Sequence, residues 1–182
     1  RMPTFLGDFI SQYVYDGQLL SEHRNKSADC CRFVDVAEGK ETRAGMSWRN
    51  DKEIPAVVTL ARELKRSGKM FRVITPYDAQ RGAIEAALKH AELPWEDTVF
   101  NVDSFQGNEC AHIIISLVRA ERMGFLAQQR RVNVMLTRCK DSMVIVTNRK
   151  FLEGAGASSL VGELARVCGD DAWMELPTCA GM

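Results

Sequence analysis

The chain has no apolar run near the roughly 20 residues that a bilayer span needs, no C-x-x-C pair and no excess of either charge. It also has only three histidines. Each absence removes a class of function. Without a long apolar segment or a signal-peptide pattern at the front, no membrane partner is expected. The histidines at 23, 90 and 112 are dispersed, and the cysteines at 30, 31, 110, 139, 168 and 179 lack zinc spacing. No metal site held by the chain's own residues is therefore expected. Reduced thiols in the cytoplasm or nucleus follow as the default. Because 24 Lys and Arg balance 24 Asp and Glu, bulk charge does not announce a nucleic-acid partner.

What is present is an ordinary globular profile. With 182 residues, 46% hydrophobic and 26% charged, the chain can bury the core of one domain. Its charge is unevenly placed. Residues 119–150 hold eight Lys or Arg against Glu121 and Asp141, whereas residues 151–182 hold five carboxylates against Arg166. A neutral domain with this asymmetry can still carry a basic face. Residues 1–168 read as one domain and residues 169–182 as an acidic, loosely specified tail. The opening Arg1-Met2-Pro3 has no initiator methionine before it, so the chain reads as a piece of something longer.

Apolar residues from Phe5 to Tyr13 recur at helical spacing toward a stop at Asp16-Gly17. Phe33–Val36 reads as a strand, and residues 38–48 as a glycine-bearing loop. Asn50 and Glu53 have the spacing of a helix cap and its reciprocal partner, opening a helix that stops near Ser67-Gly68. Phe71–Ile74 is the next strand, and Asp78–Ala91 a second amphipathic helix. Val99–Val102 and Ile113–Val118 read as buried strands, Arg130–Cys139 as a helix and Met143–Val146 as a further strand. A small, flexible stretch at 154–159 precedes a last helix over 160–167. Strands alternating with helices predict an α/β fold, a parallel sheet with helices on both faces.

Three polar runs stand beside buried strands. Thr75-Pro76-Tyr77-Asp78-Ala79-Gln80-Arg81 opens a helix whose first amides can receive an anion, with Arg81 one turn in. Taken alone, an arginine in a first turn is more often a solvated surface residue. Val102-Asp103-Ser104-Phe105-Gln106-Gly107-Asn108-Glu109 offers amides, a hydroxyl and an amide side chain to phosphate or sugar, with Asp103 and Glu109 as acceptors. Its plainer reading is a surface turn that returns the chain. In the third run, from Arg130 to Arg138, helical spacing puts Arg131 and Arg138 nearly on one face, suited to bidentate phosphate contact. The alternative there is an amphipathic helix with a basic exposed side.

Together, and in this order, the three runs resemble motifs IV, V and VI of superfamily 1 helicases. The nearest group contains the nonsense-mediated decay helicase, senataxin and Aquarius. Its pattern I-T-P-Y-x-x-Q is met by Ile74 to Gln80. V-D-x-F-Q-G-x-E with a following V-R is met by Val102 to Glu109 and Val118-Arg119, and G-F-L-x-x-x-R-R-x-N-V-x-L-T-R by Gly124 to Arg138. Arg1-Met2 with Phe9, Tyr15, Gly17 and Leu19 resembles a further family segment, and the match spans about residues 1–153. Pro3-Thr4 departs from the usual His-Pro, and Cys139-Lys140 from the usual Ala-Arg.

The resemblance implies the second, C-terminal RecA-like domain, of P-loop NTPase type, of a helicase or translocase driven by ATP with Mg²⁺. The phosphate loop G-x-x-x-x-G-K-[ST] and the acidic magnesium motif are not in this chain, and in the family both belong to an N-terminal RecA-like domain. That partner domain would supply the Mg²⁺ ligands. By resemblance, Arg138 would be the arginine finger and Arg81 a second γ-phosphate contact. Gln106, Gly107, Glu109 and Arg131 would bind ATP. Thr75, Pro76, Asp103 and Ser104 would line the path of single-stranded RNA or DNA. The alternative function is an inactive helicase-like scaffold binding nucleic acid or protein.

Overall fold

The computed structural model describes residues 2–18 and 22–177. Arg1 and Leu19 of the opening resemblance, and Cys179 of the tail, lie outside the described residues. The chain runs through α1 (Thr4–Val14), β1 (Cys31–Asp35), β2 (Thr42–Ala44), β3 (Ser47–Arg49), α2 (Glu53–Arg66), β4 (Phe71–Thr75) and α3 (Asp78–His90). It continues with β5 (Val99–Asn101), β6 (Cys110–Ser116), α4 (Gln129–Leu136), β7 (Cys139–Thr147), α5 (Arg149–Glu153) and α6 (Leu160–Cys168). Five strands form a parallel sheet in the order β1-β7-β6-β4-β5.

A parallel sheet covered on both faces needs strands that are apolar on both sides, and these are. In β6, Ile113 and Ile115 face a cluster with Leu6, Phe33, Phe105, Val132 and Met135, while Ile114 joins Val57, Leu60, Ile84 and Leu88. One face is thus covered by α1, α4 and α6, and the other by α2 and α3. This is the predicted α/β architecture.

Several expectations change. Residues 38–48 are not a plain loop, because β2 and β3 pair antiparallel around Gly45-Met46, with Gly45 at φ +61°. A glycine with positive φ in a two-residue connection is what a tight hairpin requires. Asn50 and Glu53 do not cap α2. Lys52 holds the N-cap position without a side-chain bond, while Asn50 and Glu53 are fully buried. The helix α4 ends at Leu136, two residues before Arg138. There the Thr137 hydroxyl bonds back to the Asn133 and Val134 carbonyls at 2.9 and 3.1 Å, closing the helix before β7 begins. The two-turn spacing argument for Arg131 and Arg138 therefore fails. The tail is not loose where it begins. Ala172 is buried, Trp173 bridges to Phe33 on the sheet-edge strand β1, and the Met174 amide donates to the Phe33 carbonyl at 2.8 Å.

Candidate functional site

In a parallel sheet all carboxyl ends lie along one edge and all amino ends along the other, so each motif can be assigned an edge. Thr75 closes β4 opposite Asn101, the last residue of β5. The Thr75–Arg81 run therefore sits at the carboxyl edge. Cys110 opens β6 opposite Cys139, which opens β7, and the Cys110 amide donates to the Arg138 carbonyl at 3.1 Å. Glu109 and Arg138 therefore sit at the amino edge. With seven residues in β6 at about 3.3 Å each, the edges lie roughly 20 Å apart.

The three runs are accordingly not gathered at one point. Arg81 is tied on α3 to Asp78 at 2.7 Å and Glu85 at 2.9 Å, and the same Asp78 accepts from Asn101 at 3.4 Å. The hydrogen bond from Arg81 is the main cause holding the Asp78 carboxyl below its ordinary range. Arg81 and Arg138 thus stand at opposite edges of the sheet, with Arg81 turned onto the carboxylates of its own helix. Arg131 also stands apart from Arg138. Its guanidinium meets both carboxylate oxygens of Asp103, with Nε 3.0 Å from Oδ1, and stacks over Phe125 at 4.9 Å, near the carboxyl edge.

What connects the edges is the segment 102–109. It leaves β5 at the carboxyl edge and enters β6 at the amino edge, while β4 lies between those two strands in the sheet. Val102 and Phe105 are its apolar anchors, and Asp103, Ser104, Gln106, Gly107 and Asn108 are exposed. Gly107 at φ +84° takes a backbone conformation that side-chain-bearing residues avoid. The Ser104 amide and hydroxyl are both bonded to Asn101, at 2.8 and 3.0 Å. Alongside runs α4, in the opposite direction to the strands. Arg131 near its start holds Asp103, and Arg138 just past its end donates to the Asn108 carbonyl at 3.3 Å.

Arg138 is held by neutral acceptors: the Val134 carbonyl at 2.9 Å, the Thr137 hydroxyl at 2.9 Å and the Asn108 carbonyl. Its charge is thus positioned by groups that leave it able to meet an anion. Glu109, half-buried, lies 3.3 Å from the Lys140 ammonium. Thr75 is completely buried, so it presents no side-chain surface to a strand, whereas Pro76 is partly exposed. Pro76 lines an open cleft of about 500 Å³ with Met46, Tyr77, Phe125, Gln128 and Arg131.

Behind the carboxyl edge lies a buried polar network that sequence reasoning missed. Glu53 Oε1 accepts from the Ser116 hydroxyl at 2.8 Å and from the Val118 amide at 2.9 Å. Asn50 Nδ2 donates to the Val118 carbonyl at 3.0 Å and to Glu53 Oε2 at 3.3 Å. Gln80 donates to the Asn50 carbonyl and the Ser116 hydroxyl, each at 3.0 Å, and accepts from the Asn50 amide at 3.1 Å. Val118 has φ +72°, a costly backbone for a β-branched residue, and it is clamped on both sides by Asn50 and Glu53. Burial is the main cause pushing Glu53 up to about 8, against a usual 4.5.

That strained turn delivers Arg119 into a nearly buried slot. Its guanidinium lies 4.2 Å over the Trp48 ring, 2.7 Å from Glu41, and 3.4 Å from the Tyr77 hydroxyl. Glu41 in turn accepts from the successive amides of Ala120, Glu121 and Arg122 at 3.1, 2.6 and 3.0 Å. The sequence signal for part of this was the Gly-X hairpin turn at Gly45-Met46.

A sequence profile for a family described as AAA domain matches residues 1–150. The chain belongs to that family. Its relatives include Regulator of nonsense transcripts 1 of Dictyostelium discoideum, 34% identical over 176 residues, covering 84% of this chain and 13% of the relative. The mouse probable helicase senataxin is 33% identical, covering 84% of this chain and 6% of the relative. An uncharacterized ATP-dependent helicase of Methanocaldococcus jannaschii is 34% identical over 124 residues, 67% of this chain and 18% of the relative. This AAA domain thus spans less than a fifth of the length of these curated relatives. Among solved structures, the C-terminal domain of a possible DNA helicase from Lactobacillus plantarum WCFS1 aligns with a TM-score of 0.59. It is 13% identical, covers 92% of this chain and 95% of that one, and shows the shared fold. Sequence and fold agree on a RecA-like domain of the helicase family. Among the described residues no helix is long and apolar enough to cross a membrane.

Proposed function

We propose that this domain is the C-terminal motor half of an ATP-dependent nucleic-acid helicase or translocase. The observation that carries the reading is the division of the motifs between two sheet edges joined by the 102–109 segment. The amino edge, with Arg138, Glu109, Gln106 and Gly107, faces nucleotide bound against an N-terminal RecA-like domain. Arg138 donates to the γ-phosphoryl oxygens as charge develops on them, the chemistry for which arginine fingers contribute about 10³–10⁵ in rate. Glu109 lies beside it as an acceptor for a ribose hydroxyl. Mg²⁺, held by the N-terminal half, supplies charge neutralisation of the phosphates. The carboxyl edge, with Pro76, Asp103, Ser104 and the cleft beside Arg131, follows a single strand of RNA or DNA. Its exposed backbone and short polar side chains suit contacts that read no sequence.

The test is Arg138→Ala in the full-length parent. The turnover number for ATP is expected to fall by about 10³ or more, with nucleotide affinity nearly unchanged. Equal loss of turnover and affinity would sink the finger role. A parent with no turnover under any nucleic-acid condition, though folded, would favour the scaffold.

A further inference from the structure

The β2–β3 hairpin lies outside the three motif runs, yet it is tied to the carboxyl edge at several points. Before its turn, Glu41 is bonded to three successive amides of the segment after β6. Beyond the turn, Ser47 accepts from the Ala79 amide at 3.2 Å, occupying a free donor at the start of α3, and Trp48 lies against Arg119. All three attachments hold the hairpin base and flanks. Met46 at the tip is left 98% exposed. It forms one side of the cleft whose other sides are Pro76, Tyr77 and Phe125.

The charges bordering that cleft are already matched. Asp78 is paired with Arg81, and Arg131 with Asp103. What remains for a ligand is the exposed Met46 side chain with the partly exposed Pro76 and Tyr77, beside the Gln128 amide. A flat apolar face with a polar rim is the chemistry of a nucleobase, whereas a phosphate would need an unmatched cation.

We infer that the hairpin is the outer wall of the strand path and that Met46 packs against a base of the bound strand. This rests on the strand reading above. A polarizable thioether against a ring contributes modestly, so removing it should weaken binding roughly two- to tenfold.

The experiment is a titration of the full-length parent with fluorescein-labelled homopolymeric single strands, with and without bases at the labelled stretch. Met46→Ala is expected to weaken binding to the base-bearing strand by that factor at every salt concentration. The slope against salt should stay unchanged, since no phosphate contact is lost. Against the abasic strand the penalty should vanish, which a loosened hairpin would not produce, and Met46→Trp should bind the base-bearing strand at least as tightly as the wild type. Unchanged affinity of Met46→Ala, or an equal penalty on the abasic strand, would overturn the role of Met46. A wild-type parent that binds no single strand would overturn the strand reading itself.

Discussion

Replacing Glu53 by Gln tests the buried network with a magnitude taken from the structure. Glu53 is fully buried and holds its proton up to about pH 8, against 4.5 when unfolded. The folded protein therefore binds the proton more tightly than the unfolded chain. The corresponding stability is full below pH 4.5 and is lost as the pH rises toward 8. At about 1.4 kcal/mol per pH unit, the span from 4.5 to about 8 amounts to ~5 kcal/mol, of which about 3 kcal/mol is gone by pH 7. For a domain whose total stability is of order 5–15 kcal/mol, that loss is large. Glu53→Gln keeps the acceptor for the Ser116 hydroxyl and the Val118 amide but cannot ionise. The assay is urea denaturation of both proteins between pH 5 and 8.5. The expected result is a wild type that weakens progressively relative to Glu53→Gln over this window. Taking the difference between the two cancels groups such as His112, whose pKa burial lowers and whose linkage has the opposite sign. A constant difference across the window would refute the reasoning, because it would mean that position 53 does not change protonation.

Two further perturbations probe the carboxyl edge. Asp103→Asn releases Arg131 from an exposed ion pair, so stability should change by less than about 1 kcal/mol. Strand affinity should rise at low salt, and the log–log slope against salt should steepen by about one, measured by titration at several salt concentrations. Gly124→Ala places a Cβ 2.6 Å from both Arg119 and the Tyr77 hydroxyl, at φ +50°. It should cost about 1–3 kcal/mol in urea denaturation, through backbone strain and displacement of Arg119.

Much of the fold was legible locally. Ile113-Ile114-Ile115 and Met143 to Val146 are short β-branched-rich runs apolar on both sides, as strands buried on both faces require, and Phe71, Val73 and Ile74 give a similar run broken by Arg72. Helices α2 and α3 announced themselves by apolar spacing, and the motif residues by their order beside those strands. The hairpin was missed because three-residue strands carry too little alternation to stand out from a loop. Asn50 and Glu53 were misread because a capping pair and a buried pair have the same spacing. The difference lies in Ser116, Val118 and Gln80, which arrive from other parts of the chain.

The sequence by itself determined the five strands of the parallel sheet, the apolar faces of α2 and α3, the family and the identity of the polar motifs, because each depends on residues near one another in the chain. Only the tertiary structure decided where those motifs stand. With β5 and β6 both parallel to β4, the 102–109 segment must traverse the sheet from carboxyl to amino edge. Because every strand of the sheet runs the same way, Arg81 after β4 and Asp103 after β5 lie at the carboxyl edge, and Arg138 before β7 lies at the amino edge.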